Sequence, residues 1–320
     1  MTGDILKFLR EKEYVSGEVL AKKLSISRVA IWKQIQKLKD TGYKIISDQN
    51  LGYCLVSRPD LLLPQEIQRG LSTSYIGKEI YYFPELKSTN TIAKKKALHR
   101  AEGINEGTLI IAERQSAGKG RLGREWFSPA GGIWFSIIIY PQLSPFYISR
   151  ITLMTAVAAV KAIKICTQIK SQIKWPNDIL INEKKVCGIL TEMSAELDII
   201  NWIVVGIGIN ANIDIQDFPK NIQENTISLK ETIGKEISRV KLAQTFLQEF
   251  EKYYEKLKRK EFPSILKEWK LHSHTLRKKI RVDTGERIIT GEAMDINESG
   301  VLILKNEDGK LIEIISGTII

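Results

Sequence analysis

Residues 115–126 read Gln-Ser-Ala-Gly-Lys-Gly-Arg-Leu-Gly-Arg-Glu-Trp and are here termed the Gly/Arg loop. The loop follows an apolar run at residues 108–112 that predicts a buried strand. Within it, glycines alternate with cations: Gly118, Lys119, Gly120, Arg121, Gly123 and Arg124. Glycine lets the backbone approach a ligand closely, and arginine offers a planar fork to phosphate oxygens. The segment therefore predicts a loop that closes over a polyphosphate or an acyl phosphate, with a flexible surface loop as the alternative.

Two common phosphate-binding loops do not fit this segment. The glycine spacing matches the dinucleotide fingerprint, but that fingerprint opens a helix and needs an acidic residue about 20 positions later. Here Pro129, Gly131 and Gly132 follow, and the next acidic residue after Glu125 is Asp178. A Walker A loop needs a Gly-Lys-Ser/Thr sequence, which this segment does not contain. The sequence thus favours a phosphate site of another kind.

The composition indicates a folded protein of two or three domains. The 320 residues are 43% hydrophobic and carry a formal net charge of +11, which suits nucleic-acid or nucleotide partners. Three cysteines far apart form neither a disulfide framework nor a zinc pattern, and three histidines offer little for a triad or a metal site. We find no signal peptide and no apolar run near the roughly 20 residues of a membrane span. We therefore expect a cytoplasmic protein that does not contact a membrane.

Residues 1–63 predict a winged helix-turn-helix, which consists of three short helices and a hairpin. Ser16 and Ser27 are placed to cap the second and third helices, and residues 43–56 alternate and turn like a hairpin. The predicted inward residues are Ile5, Phe8, Leu9, Val19, Leu20, Leu24, Ile31, Ile35 and Leu38. The third helix would enter the major groove of DNA. Its candidate DNA contacts are Arg28, Lys33, Gln36 and Lys37, and protein contact is the alternative role for such a unit.

Residues 64–272 predict an α/β domain that follows a short proline-marked linker. A helix at residues 64–70, strands at 79–83 and 133–140 and a long apolar helix from about residue 145 to 169 are expected. Ser88-Thr89-Asn90 begins another helix, where Ser88 or Thr89 is suited to capping. On the residues alone, capping is the simpler explanation of that polar triplet.

Two further segments set polar groups and glycines into apolar sequence. Lys174, Asn177 and Asp178 flank Trp175-Pro176, where the proline predicts a sheet edge or a bulge. This arrangement suits a metal–phosphate unit, although an ordinary Pro-Asn-Asp turn also explains it. Further along lie two glycine-containing strands, and their notable residues are Lys185, Gly188, Gly206, Gly208 and Asn210. Glycine within a strand often marks close approach by a ligand, so we expect a strand-built pocket with a cationic lid.

Residues 273–320 predict a small β-barrel. Strand-like runs at 276–282, 288–293, 301–304 and 311–315 are separated by turn sequences rich in Asp and Gly. Short antiparallel strands of this kind are typical of an SH3-like fold.

In combination, these motifs resemble the bifunctional biotin protein ligases that also repress the biotin operon. The resemblance covers nearly the whole chain and rests on Ser88-Thr89-Asn90, Gln115 with 118–124, Lys174–Asp178, Lys185–Gly188 and Gly206–Asn210. It implies an α+β, multidomain fold. The parts are an N-terminal winged helix-turn-helix (1–63), a central α/β ligase domain with a mixed sheet like that of class II synthetases (64–272) and a C-terminal SH3-like β-barrel (273–320).

The resemblance also implies a two-step reaction with biotin, ATP and Mg²⁺. Biotin and MgATP form biotinyl-5′-adenylate, which then acylates a lysine of a biotin carboxyl carrier domain, such as that of acetyl-CoA carboxylase. The implied catalytic residues are Arg121, Lys185 and Asp178, with Asp178 also the Mg²⁺ ligand. The implied biotin-binding residues are Ser88, Thr89, Asn90, Gln115, Gly118, Arg121, Lys185, Gly188 and Gly206. The implied ATP- and adenylate-binding residues are Lys119, Arg121, Arg124, Trp126, Lys174, Asn177 and Asn210.

The repressor arm of the family implies a ligand-dependent switch. The adenylate acts as corepressor, orders the pocket loops and stabilises a homodimer, whose two winged helices fit a palindromic operator. One position departs from the family, because Lys119 stands where an arginine is usual and keeps the charge without the planar fork. Two other classes stay open: a lipoate-type ligase, and a non-catalytic transcription regulator that senses a small molecule.

Overall fold

The computed structural model describes residues 2–320, and the side chains of residues 3–320. Its contacts divide the chain into two units, Met1–Leu61 and Leu62–Ile320. The predicted boundary between a central and a C-terminal domain near residue 272 stays a prediction, because the second unit includes both.

The N-terminal unit has the helices and the hairpin that the sequence predicts. Its elements are α1 (Thr2–Glu11), α2 (Gly17–Leu24), α3 (Arg28–Asp40), β1 (Lys44–Asp48) and β2 (Gly52–Ser57). The two predicted caps are confirmed: Ser16 Oγ accepts a hydrogen bond from Val19 N at 3.2 Å, and Ser27 Oγ accepts one from Ala30 N at 3.1 Å. Strands β1 and β2 pair antiparallel.

The core of this unit differs from the prediction at a few positions. Val19 was expected to be buried but is 41% exposed. Successive helical residues point about 100° apart, so Val19 and the fully buried Leu20 do not face the same core. In α1, Leu6 is buried with Ile5 and Leu9, whereas Phe8 is only half-buried.

The second unit is built on a seven-stranded sheet. Its strands are β3 (Ile80–Leu86), β4 (Leu109–Gln115), β5 (Ile133–Ile139), β6 (Gln172–Lys174), β7 (Asp178–Ile181), β8 (Lys184–Glu196) and β9 (Ile199–Ile209). Their order in the sheet is β3-β4-β5-β9-β8-β7-β6. Strands β3 and β4 are parallel and all other neighbours are antiparallel, so the predicted mixed sheet is confirmed. Strand β6 lies at the sheet edge, and Trp175-Pro176-Asn177 form the turn between β6 and β7.

Helices cover both faces of this sheet. They are α4 (Pro64–Arg69), α5 (Thr89–Ala97), α6 (Ile148–Thr167), α7 (Lys220–Gln223), α8 (Leu229–Ile233), α9 (Arg239–Lys258) and α10 (Phe262–Leu271). Helix α5 packs Ala93 and Ala97 on one face, against Ile110 and Ile138. Alternate strand residues such as Ile111 point to the opposite face of the sheet. There they form a second apolar cluster with α6, α9 and α10.

The segment Pro145–Thr167 differs from the expectation that no apolar run approaches the length of a membrane span. By length and composition it is long and apolar enough to cross a membrane, with a mean hydropathy of 1.4. However, 61% of that window is buried inside the protein, and α6 packs between the sheet and α9. Its apolar character is therefore that of a central core helix.

The C-terminal strands form a five-stranded antiparallel sheet. They are β10 (Lys279–Asp283), β11 (Ile288–Ile296), β12 (Leu302–Lys305), β13 (Leu311–Ile314) and β14 (Thr318–Ile319), in the order β13-β12-β11-β10-β14. The four predicted strands are confirmed, and β14 was missed. A closed SH3-like barrel is not confirmed, because the end strands β13 and β14 do not pair within residues 279–319, all of which the structure describes. Val282 and Leu302 join the main core, so this sheet packs on the central domain.

Candidate active site

A cavity of about 320 Å³ lies where the Gly/Arg loop, the start of α5 and the strands β6 to β9 meet. It brings together most of the residues that the sequence predicted for a site. These are Ser88, Thr89, Asn90, Gln115, Lys119, Arg121, Arg124, Trp126, Lys174, Asn177, Asp178, Lys185, Gly188 and Gly206. Residues separated by more than 100 positions in the chain thus converge on one space.

One end of the cavity carries uncharged hydrogen-bonding groups from the start of α5. Ser88 occupies the N-cap position, but within the described chain its side chain makes no capping hydrogen bond. Capping therefore does not account for the polar triplet. Thr89 donates its backbone N–H to Gln115 Oε1 at 2.7 Å, and its hydroxyl lies 3.1 Å from the same oxygen. All three residues of the triplet are nearly fully buried.

Side chains behind this wall hold it in place, and sequence reasoning missed them. Ser136 Oγ lies 2.8 Å from Thr89 Oγ1 and 2.6 Å from Asn90 Oδ1. Asn90 Nδ2 donates to Glu192 Oε2 at 2.8 Å, and Lys94 Nζ lies 2.6 Å from Glu192 Oε1. A signal for Ser136 existed, because it is the one polar residue in the buried strand β5, which reads Ile-Trp-Phe-Ser-Ile-Ile-Ile.

The floor of the cavity consists of strand glycines beneath the Trp126 indole. Gly188 and Gly208 are directly paired on β8 and β9. A Cβ on Gly188 would lie 2.8 Å from Trp126 Cζ3, and one on Gly208 would lie 2.4 Å from Trp126 Nε1. A Cβ on Gly206 would lie 2.1 Å from Asn90 Oδ1. Only glycine fits at these positions while Trp126 and Asn90 keep their places.

Trp126 covers the glycine floor and packs edge-on against a second tryptophan. Its ring centroid lies 6.2 Å from that of the fully buried Trp134, at an interplanar angle of 74°. Lys185 Nζ lies 4.9 Å from the Trp126 ring centroid, within cation–π range. The buried Trp126 Nε1–H has no hydrogen-bond partner among the described residues.

The other end of the cavity is cationic, and Arg121 is its best-anchored group. Its guanidinium donates to Asn177 Oδ1 at 3.1 Å, to Gly317 O at 3.2 Å and to Ser316 Oγ at 3.0 Å. Burial lowers the pKa of Arg121; the Asp178 carboxylate opposes that shift and the Arg124 charge adds to it. A half-buried arginine remains charged at neutral pH and binds phosphate or carboxylate oxygens strongly.

Lys185 and Asp178 form an ion pair between strands β8 and β7. Lys185 Nζ lies 2.7 Å from Asp178 Oδ1. Within residues 2–320, no cluster of three or more His, Cys, Asp or Glu side chains is suited to hold a metal by itself. Mg²⁺ is usually bound by one or two carboxylates together with substrate phosphates. Asp178 is therefore a candidate ligand for a Mg²⁺ ion that arrives with a nucleotide, and its cationic neighbours suit the phosphates of that nucleotide.

Two of the predicted site residues lie outside the lining that the structure describes. Gly118 sits behind the wall, where a Cβ would lie 2.3 Å from Trp126 O and 3.1 Å from Gln115 Nε2. Asn210 is buried, and its Nδ2 contacts Lys185 O at 3.4 Å and Ile227 O at 3.2 Å. Both residues thus position the elements that carry lining side chains.

The C-terminal sheet also contributes to the cavity through Thr318 and Ile319. Neither residue carries a sequence signal, because a Thr-Ile pair is ordinary in a strand. Only the packing of β14 beside the Gly/Arg loop brings them there.

In the N-terminal unit, α3 presents the residues that were predicted for DNA contact. Arg28, Lys33 and Lys37 are exposed, and Gln36 is half-buried. Trp32 was missed and is 54% exposed. A groove runs between the start of α3 and the β1–β2 turn, and both Arg28 and Trp32 line it.

Comparisons with known families cover both units of the chain. The Biotin/lipoate A/B protein ligase family matches residues 82–210, an HTH domain matches residues 3–54, and the Biotin protein ligase C terminal domain matches residues 276–320. The bifunctional ligase/repressor BirA of Bacillus subtilis is 38% identical over 93% of this chain and 91% of its own length. That of Escherichia coli is 28% identical over 95% of this chain and 92% of its own length.

A solved structure agrees with these matches. The biotin protein ligase from Aquifex aeolicus in complex with biotin and ATP superposes with a TM-score of 0.65 at 29% identity. The match covers 76% of this chain and 98% of that one. Together with the winged helix-turn-helix and the cavity, these matches show that the chain belongs to the family of bifunctional biotin protein ligases and repressors.

Proposed function

We propose that the chain activates biotin with MgATP to biotinyl-5′-adenylate and transfers the biotin to a lysine of a biotin carboxyl carrier domain. The observation that carries this proposal is the division of one cavity into two ends. Uncharged donors and acceptors from Thr89, Asn90 and Gln115 form one end, and cations including Arg121 and Lys185 form the other. A ureido ring needs the first kind of group, and a carboxylate with phosphates needs the second.

In the first step, a biotin carboxylate oxygen attacks the α-phosphorus of ATP. The bond from that phosphorus to the oxygen that bridges the α- and β-phosphates breaks, and pyrophosphate leaves with its electron pair. No protein nucleophile is required, so positioning and charge neutralisation do the work. Arg121 and Lys185 hold the two anionic groups together, and Trp126 walls off water. Bound Mg²⁺, held by Asp178, would neutralise phosphate charge.

In the second step, the amine of an acceptor lysine attacks the acyl carbon of the adenylate. An amide bond forms, the bond from the acyl carbon to the phosphate oxygen breaks, AMP leaves and the amine loses a proton. The acceptor is a biotin carboxyl carrier domain, such as that of acetyl-CoA carboxylase. Arg121, held by Ser316 and Gly317 in the connection between β13 and β14, retains the adenylate until the acceptor arrives.

The remaining predicted residues have roles in the same scheme. Ser88, Thr89, Asn90 and Gln115 bind the ureido ring, with Gly188 and Gly206 beneath the ligand; Lys119, Arg124, Lys174 and Asn177 contact the nucleotide. The C-terminal sheet, related to the SH3 fold, contributes Thr318 and Ile319 to the nucleotide side. Because the reaction consumes ATP and the cysteines are free, we assign it to the cytoplasm.

Biotin-dependent exchange between ATP and pyrophosphate tests the first step. We expect exchange with biotin and none with lipoate, because lipoate lacks the ureido groups that the polar wall would bind. Exchange with lipoate alone would favour the lipoate-type ligase. A lack of exchange with either acid would favour the non-catalytic sensor.

The exposed cations of α3 support a second activity, repression through operator DNA. Arg28, Lys33 and Lys37 form a basic helix face suited to the major groove. The adenylate acts as corepressor and stabilises a homodimer, so that two winged helices fit a palindromic operator. We expect biotin with ATP to increase operator affinity in a gel-shift titration. Equal affinity with and without them would overturn the switch.

A further inference from the structure

We infer that Glu192 is a positioning residue that fixes the hydrogen-bond polarity of the biotin pocket, so that Thr89 and Asn90 face the ligand as acceptors. The inference rests on the proposed binding of the ureido ring by these two residues. Glu192 does not line the cavity, and it acts through the side chains that do.

The argument begins at the carboxylate, which accepts hydrogen bonds and donates none when ionised. Lys94 Nζ lies 2.6 Å from Glu192 Oε1 and stabilises that charge. Glu192 Oε2 therefore requires a donor from Asn90, whose Nδ2 lies 2.8 Å away. The second Nδ2 hydrogen points to Leu190 O at 3.4 Å. Asn90 thus has both amide hydrogens engaged, and it presents Oδ1 on the other side.

The same direction continues through Ser136, which is fully buried. Asn90 Oδ1 lies 2.6 Å from Ser136 Oγ and only accepts, so the single Ser136 hydrogen goes to Asn90. Thr89 Oγ1 lies 2.8 Å from Ser136 Oγ, in a geometry in which Thr89 accepts. The Thr89 hydroxyl hydrogen goes to Gln115 Oε1 at 3.1 Å, which leaves the Thr89 oxygen as an acceptor.

The direction of the hydrogen bonds at Gln115 is fixed in the same way. Ser128 Oγ donates to Trp126 O at 2.9 Å, so it accepts from Gln115 Nε2 at 2.8 Å. Gln115 must therefore turn Oε1 toward Thr89. Two groups that only accept, the Glu192 carboxylate and the Trp126 carbonyl, thus leave the oxygens of Thr89 and Asn90 with lone pairs for the cavity. The N–H groups of a ureido ring are the complementary donors.

The test replaces Glu192 by glutamine, which keeps the shape but supplies a donor. An amide at position 192 donates a hydrogen bond to Asn90. The Asn90 amide then rotates, and the direction of the hydrogen bonds from Asn90 to Ser136 and Thr89 is reversed. By calorimetry on the full chain without ATP, we expect the Kd for biotin to rise roughly tenfold, as for a buried polar group left without its partner. Thr191→Val is the matched control, because Thr191 neighbours Glu192 on β8 but pairs with Thr152 at 2.8 Å.

A modified ligand distinguishes a change in hydrogen-bond polarity from general damage to the pocket. Biotin methylated on one ureido nitrogen lacks one donor, and its steric cost is common to both proteins, so it cancels in a double-mutant cycle. We expect the preference for biotin over the methylated analogue to fall about tenfold in Glu192→Gln and to persist in Thr191→Val. An unchanged preference in Glu192→Gln would overturn the inference.

Asn90→Ala distinguishes failure of the inference from failure of the proposed subsite. If Asn90→Ala weakens biotin binding and Glu192→Gln does not, the subsite stands and the inference is wrong. If neither variant changes the Kd, the ureido assignment itself is wrong and the inference falls with it. If thermal unfolding shows that Glu192→Gln does not fold, Glu192→Met, which leaves Asn90 Nδ2 without an acceptor at position 192, must show the same loss of preference.

Discussion

Adding one methyl group to the cavity floor tests the geometry of the site most directly. In Gly208→Ala, the new Cβ would lie 2.4 Å from Trp126 Nε1 and 2.6 Å from Trp126 Cε2. Normal carbon contacts are about 3.5–4.0 Å, so the indole must shift by roughly 1 Å. Trp126 lines the cavity, so a shift of its indole away from the floor changes the space that the ligand occupies.

The expected magnitude follows from the cost of overpacking, about 1–3 kcal/mol. Loss of that much binding free energy corresponds to roughly a 5- to 150-fold higher Kd for biotin. The displaced ring also changes its position relative to Lys185 Nζ, which now lies 4.9 Å from its centroid. We therefore expect pyrophosphate exchange to fall as well.

The assay combines biotin titration, exchange and thermal unfolding on the full chain. Gly17→Ala is the control, because its Cβ would have ordinary contact at 3.4 Å with Tyr53 in the N-terminal unit. Adding Trp126→Phe to Gly208→Ala shortens the ring system and should recover part of the affinity. A Kd within twofold of the original for Gly208→Ala, with unchanged unfolding, would refute the reasoning.

Three further predictions concern other parts of the chain. Arg121→Gly removes the hydrogen bonds to Asn177, Ser316 and Gly317, so the adenylate should escape and biotinylate an unrelated protein added to the assay. Streptavidin detects this biotinylation, and unchanged retention of the adenylate would contradict the lid role of Arg121. Lys33→Ala and Lys37→Ala should each weaken DNA binding across sequences and lower the salt dependence by about one ion, whereas Lys7→Ala should not. Burial raises the pKa of the Cys187 thiol, so it stays protonated at mildly alkaline pH. Iodoacetamide should therefore label it only after unfolding, and mass spectrometry showing equal labelling of the native chain would disprove this.

Much of the fold could be predicted because local signals agreed with the global arrangement. Ser16 and Ser27 cap their helices, and the segment that alternates like a hairpin pairs as one. The misplaced Val19 shows the limit, since neighbouring apolar residues leave the orientation of a short helix ambiguous. Closure of a barrel depends on pairing between the two end strands of the C-terminal sheet, and no local pattern encodes it.

The lining of the cavity was predictable where polar residues interrupt apolar runs, as at Ser88–Asn90 and Lys174–Asp178. Thr318 and Ile319 were not, because only the packing of the C-terminal sheet brings them to the cavity. Glu192 and Lys94 were missed for another reason. They act through hydrogen bonds to the wall, and charged residues on a strand and a helix usually face solvent.

The glycine floor also limits how this enzyme can be adapted to other carboxylic acids. Glycine is already the smallest residue, so every substitution at Gly188, Gly206 or Gly208 removes volume and none adds it. A library that aims at bulkier substrates should leave these positions unchanged and vary the wall instead. Shortening Thr89 or Gln115 would enlarge the space but would also interrupt the hydrogen bonds that run through it. Broader substrate range and tight recognition of biotin are thus opposed in this pocket.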